Sequence, residues 1–159
     1  MIPEPKTRIS QRALTVWKIS GMIQSAILWI FGAVFIALAV IFNWPTWMIV
    51  IIITIGLLYS SFMILFLPKL RWRRWRYEVR EQEIELQRGV FIIKRTLIPM
   101  IRVQHVDTQQ GPILRKYRLS TVMISTAATI HEIPALDMEE AEELRHSISK
   151  LARVADEDV

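Results

Sequence analysis

Two hydrophobic periods divide this chain. From Ile19 to Pro68 a run of Ile, Leu, Val, Phe, Ala and Met carries no charged residue. About 20 apolar residues cross a bilayer as a helix. The run therefore predicts two spans, Ile19 to Phe42 and Trp47 to Leu67, joined by Asn43-Trp44-Pro45-Thr46. Asn and Pro favour a turn, and Pro45 keeps Trp44 out of the helical region. So short a connection makes the helices antiparallel. Lipid offers the backbone no hydrogen-bond partners, which is why helices are expected there.

After Lys69 the period shortens to about two. Trp75, Tyr77 and Val79 alternate with Arg74, Arg76, Glu78 and Arg80, and Ile84 and Leu86 with Glu83, Glu85 and Gln87. Val90 to Leu97 is β-branched and aromatic; Ile101 and Val103 alternate with Arg102 and Gln104. Leu119 to Thr126 and Thr129 to Ile133 read likewise. These are strands of a half-buried antiparallel sheet. Arg88-Gly89 marks a hairpin turn, Pro99 breaks the ladder, and Gly111-Pro112 opens a loop in which Ile113 to Arg118 forms a helical turn.

The last element is helical. Asp137 and Glu140 resemble a capping box, and Ala141, Leu144, Ile148 and Leu151 make one apolar stripe from about Met138 to Ala152. Four parts result: a basic segment 1–18, a two-helix hairpin 19–67, a sheet domain 68–153 closed by its helix, and an acidic tail 154–159.

Charge adds an orientation. The chain has 159 residues and a net charge of +5. Lys6, Arg8, Arg12 and Lys18 precede the apolar run; Lys69, Arg71, Arg73, Arg74, Arg76 and Arg80 follow it; Asn43–Thr46 has no base. The positive-inside rule puts both termini in the cytoplasm of a plasma-membrane protein. Trp17, Trp44, Trp47, Trp72 and Trp75 fall near the expected interfaces, where amphipathic rings settle. Ala37-Leu38-Ala39 matches a signal-peptidase pattern, but the stretch before it exceeds a usual signal core and a second span follows. The spans contain no ionisable residue, which argues against ion transport. Gly21/Ser25 and Ala33/Ala37 are small pairs four apart, as helix-packing faces use and as ordinary spans also contain.

One stretch is more specific. Ile98-Pro99-Met100-Ile101-Arg102-Val103-Gln104-His105-Val106-Asp107 resembles a strand of the bacterial pleckstrin-homology-like membrane proteins. Gln110 to Lys116 resembles the loop that follows it, and Leu119 to Ala128 the next strand. The resemblance covers nearly the whole chain and is nearest the YdbS-like branch of Gram-positive bacteria. It implies a membrane hairpin carrying one cytoplasmic PH-like β barrel capped by a C-terminal helix. It also implies larger multi-module sister proteins as partners, and it supplies no catalytic motif.

Chemistry is sparse. The chain has no cysteine, and its five glycines form no phosphate loop. His105 and Asp107 share a strand face, and His131 on a neighbouring strand would make a third ligand; isolated polar residues on a sheet are the simpler reading. No cofactor, metal or catalytic set is expected. The basic cluster Lys69, Arg71, Arg73, Arg74 and Arg76 suits the anionic inner leaflet. A second cluster, Arg115, Lys116 and Arg118, would join it in clamping a phospholipid headgroup if that loop faces the membrane. Trp72 and Trp75 among arginines superficially suit nucleic acid, but no binding module accompanies them. The expectation is a non-enzymatic, membrane-anchored assembly protein that binds the bilayer and either itself or a multi-module relative, with headgroup binding as the alternative.

Overall fold

The computed structural model describes residues 4–157. Two compact units divide them: residues 17–70, and residues 4–16 together with 71–157.

The first unit is the helical hairpin. Helix α1 runs Ala13–Ile41, six residues earlier than expected at its start. It ends at Asn43, whose φ of 52° is left-handed; the Trp44 and Asn43 amides donate back to the Ala39 and Val40 carbonyls. That is a Schellman ending with Asn in the place glycine usually takes. The second helix runs continuously over Thr46–Arg74. It comprises α2 (Thr46–Ser61), a π turn (Phe62–Phe66) and α3 (Leu67–Arg74). Pro68 has no N–H and would crowd the carbonyl four residues back in an α-helix. The π turn just before it widens the spiral, and the Leu67 amide reaches back to the Phe62 carbonyl. Both helices are long and apolar enough to cross a membrane.

Within the hairpin, Gly21 and Ser25 are buried while Ala33 and Ala37 are exposed, so only the first small pair is a packing face. A Cβ on Gly21 would lie 2.7 Å from the Met63 carbonyl oxygen, and one on Gly56 would lie 3.0 Å from the Trp29 ring. The Trp29 indole N–H donates to Ser60 Oγ at 3.1 Å, giving this mid-span tryptophan a polar partner.

Among the described residues the second unit holds seven strands. Sheet A has the order β1 (Thr7–Arg8), β2 (Arg76–Val79), β3 (Glu83–Arg88), β4 (Lys94–Pro99). Sheet B has the order β5 (Val103–Gln109), β6 (Leu119–Thr126), β7 (Ile130–Asp137). All pairs are antiparallel. A short helix, α4 (Pro112–Lys116), joins β5 to β6, and α5 (Met138–Glu157) packs on sheet B. Ile84, Ile98 and Met100 from the first sheet and its exit meet Leu119, Val122, Ile124, Ile133 and Leu136 from the second, with Ala141 and Ile148 of α5, in the buried core.

Four expectations change. The barrel is not closed: among the described residues no ladder joins sheet A to sheet B. β4 ends on Pro99, which lacks an N–H, and the 3-10 turn Met100–Arg102 carries the chain off its edge. Val90–Ile93 is not strand, because the last ladder pair is Arg88 with Lys94 and the apolar residues lie beyond it. Helix α5 continues past Ala152 to Glu157, so the tail is helical as far as it is described; residues 158–159 lie outside the described residues. Its capping residues also turn elsewhere. Asp137 accepts from Ser10 Oγ at 3.3 Å and faces Arg12 at 3.4 Å, while Glu140 accepts from the Tyr77 hydroxyl at 2.7 Å.

Candidate functional site

The strongest chemical feature is a concentration of bases where the chain leaves the sheet unit, at Val16 and at Arg71. Strand β1 pairs Arg8 with Arg76, the first residue of β2. These like charges are neighbours, and Arg76 is half-buried and paired with Glu4 at 3.1 Å. Arg71, Arg73 and Arg74 are exposed on the last turn of α3, where bases complement the helix dipole. Arg71 lies within electrostatic reach of Glu132. Lys69 belongs to the hairpin unit and is exposed.

Trp72 ties the two chain ends of the sheet unit together. Its indole N–H is shared between the Ile9 and Ser10 carbonyls, each at 3.2 Å, and the Arg8 guanidinium lies over its ring at 5.4 Å. Trp75 is 4% exposed and belongs to the core, which corrects its expected place at a membrane surface. Its alternation with Tyr77, also buried, was the signal for an inward face. Trp44 and Trp47 are exposed at the hairpin turn, with Trp44 edge-on to Phe35; Trp17 is half-buried.

The second cluster reaches the same end of the sheet unit. Arg115, Lys116 and Arg118 are exposed at the end of α4. The Arg118 carbonyl accepts from the Met138 amide at 3.1 Å, next to Asp137, which holds Ser10 and Arg12. Arg118 is thus linked through Asp137 to the segment that Trp72 binds. It also has φ of 54°, the left-handed region where a Cβ crowds the backbone carbonyl.

Two buried polar side chains of β3 are internally matched. Glu85 is buried beneath Arg80 at 3.4 Å and Arg95 at 4.0 Å, and Gln87 accepts from Arg95 Nε at 3.0 Å. Burial, then the Glu140 carboxylate, push the Tyr77 phenol well above its ordinary value, so it stays a donor. His105 and His131 stand on different strands of sheet B. His105 pairs with Ser125 and His131 with Ile124, so β6 lies between β5 and β7. Two strand spacings put the histidine backbones about 10 Å apart. Among the described residues no three His, Asp or Glu side chains gather into a metal-binding group. His105 borders an open hollow of about 800 Å³ between β5 and α5, with Gln104, Ser149 and Arg153. Burial and the nearby Arg88 and Lys94 lower the His131 pKa.

A third feature lay beyond sequence reasoning. A shallow cleft of about 430 Å³ runs along the open edge of β4 to the β6–β7 turn, lined by Leu97, Ile101, Arg102, Gln104, Thr129 and His131. Leu97, Ile101 and neighbouring Ile130 are exposed. Only the pairing of distant strands assembles it.

The bacterial PH domain family profile matches residues 21–152. The chain is 50% identical over 159 residues, the whole of both chains, to UPF0699 transmembrane protein YdbS of Bacillus subtilis (strain 168). It is 28% identical over 85 residues to UPF0699 transmembrane protein YdbT of the same organism, which is 51% of this chain and 17% of that protein. No solved structure matches it. With two long apolar helices, two antiparallel sheets and a C-terminal helix, and a match to most of its length, the chain belongs to the bacterial PH domain family.

Proposed function

We propose that this is a non-enzymatic assembly protein of the plasma membrane. Its hairpin crosses the bilayer twice with both termini in the cytoplasm, and its PH-like domain rests against the inner leaflet and binds a partner membrane protein. The supporting observation for assembly is the unpaired β4 edge with its apolar cleft. An open strand edge invites added strands or another chain, and here it stands beside exposed Leu97, Ile101 and Ile130. The partner is a second copy or a larger PH-like membrane protein of the kind that YdbT represents, since a short stretch of YdbT resembles this chain. Envelope maintenance, or defence against membrane-active peptides, is the setting such an assembly fits.

The topology has its own support. Thr7 and Arg8 pair with Tyr77 and Arg76, so the chain on either side of the hairpin lies on one side of any membrane it crosses. The bases at both exits choose the cytoplasmic side. A photo-crosslinker at Leu97, activated in native membranes, tests the assembly. An adduct with a membrane protein or a second copy is expected; recovery solely as an uncrosslinked monomer would sink the reading.

Headgroup binding is the second reading. It is favoured by the linkage of Arg118 through Asp137 to Arg12 and Ser10, which brings the α4 bases toward the exit bases. Binding to anionic vesicles that survives high salt and depends on headgroup identity would support it. Loss in modest salt would reduce it to screened attraction.

A further inference from the structure

The turn between β3 and β4 ends in bare hydrocarbon. Phe91 is 82% exposed and Ile92 84%, with Ile93 exposed beside them. A hairpin tip in water ordinarily carries Gly, Asn, Asp or Ser. This tip is also shaped. Gly89 sits at φ +130°, and a Cβ there would collide with the Ile92 carbonyl oxygen. The chain therefore folds closely on itself and presents Phe91 and Ile92 outward. Directly beneath, Arg88 and Lys94 form the last ladder pair, both exposed, and no acidic residue stands in the turn.

Register fixes where the tip lies. Arg8 of β1, Arg76 of β2 and Gln87 of β3 occupy one line across sheet A. Beyond that line β1 continues toward Val16, β2 is entered from Arg71 to Trp75, and β3 continues to Arg88 and the tip. The apolar tip and both chain exits therefore share one end of the sheet.

We propose that Phe91 and Ile92 insert into the headgroup–acyl boundary of an anionic bilayer, with Arg88 and Lys94 at the phosphate level. Apolar side chains backed by bases are what such an interface takes. The charge pattern favours lipid over an apolar protein surface, which would leave both bases without counter-charges. The tip thereby gives the domain an attachment independent of the hairpin and sets its tilt on the leaflet. The inference rests on the membrane-anchored reading of the hairpin.

The chain has no cysteine, so one introduced thiol carries one probe. The full chain with Ile92→Cys, Glu81→Cys or Ile53→Cys is labelled with an environment-sensitive fluorophore. Each is reconstituted in vesicles of phosphatidylglycerol and phosphatidylethanolamine. Doxyl-labelled lipid is expected to remove most emission at position 92, with a blue shift. Position 81, in the turn at the opposite end of β3, should stay open to aqueous iodide. An iodide-accessible, unquenched probe at 92 would overturn the inference. So would one shielded from both quenchers, which would mean a protein covers the tip. Quenching at 53 without quenching at 92 would remove this inference alone; no quenching at 53 would remove the anchored reading and this one with it.

Discussion

Single residues hold the sheet unit's two chain ends in place, and their contributions can be measured separately. Trp72→Phe removes the N–H shared by the Ile9 and Ser10 carbonyls. A neutral hydrogen bond is worth about 1 kcal/mol, and a loss of that order is expected in denaturant unfolding of the full chain in detergent. Arg118 behaves oppositely. It occupies a left-handed position after α4 where glycine is the usual ending. Arg118→Gly should therefore raise stability by up to about 1 kcal/mol through relief of backbone strain, while weakening adhesion to anionic vesicles if the α4 bases touch lipid. His131 supplies a pH dependence. Burial, with Arg88 and Lys94 nearby, lowers its pKa below the ordinary 6.5. The unfolded chain then takes the proton at a higher pH than the folded one. Stability is full above 6.5 and declines as pH falls from there through the lower folded value. Thermal melts at descending pH should show this decline, and His131→Gln should lessen it.

At the scale of elements, the hairpin is the most demanding packing problem. Gly21 meets the second helix at its π turn, at the Met63 carbonyl. Backbone cannot yield as a flexible side chain can, so Gly21→Leu should destabilise the hairpin by roughly 1–3 kcal/mol, visible as a lower melting temperature in micelles. Legibility in sequence varied among elements for related reasons. The apolar helices needed no long-range information, since their composition alone suits a helix in lipid. Strand β6 is legible at both ends because Val122 and Ile124 stand two apart under the pleat, with polar Ser120, Thr121, Ser125 and Thr126 on either side. Val90 to Ile93 read as strand because β-branched content is all that a short window contains; the Arg88–Lys94 register, set by a partner strand, ends the ladder before them. Strand β1 was invisible, being two residues long with its partner beyond the hairpin. Trp75 follows a span closely, as an interface tryptophan does, but its alternation with Tyr77 is the pattern of an inward strand face. The basic clusters were plain in the sequence, but their linkage through Asp137 required the fold.

For the whole molecule, the proposed topology predicts a labelling pattern. With one cysteine introduced at a time, Asn43→Cys should react with a membrane-impermeant maleimide on intact cells whose wall is removed. Lys116→Cys should react only after permeabilisation, and reaction of both before it would contradict the double crossing. The pairing of Thr7–Arg8 with β2 also bears on how the molecule is made. The first strand to leave the ribosome waits through the synthesis of both long helices before its partner exists. During that interval sheet A has no edge to join, and a chain stalled or inserted with only one helix cannot complete it. The completed ladder is thus a record that the hairpin was made in full and turned back. Trimming the first eight residues would erase that record, leaving β2 with a bare edge even where the hairpin itself is intact.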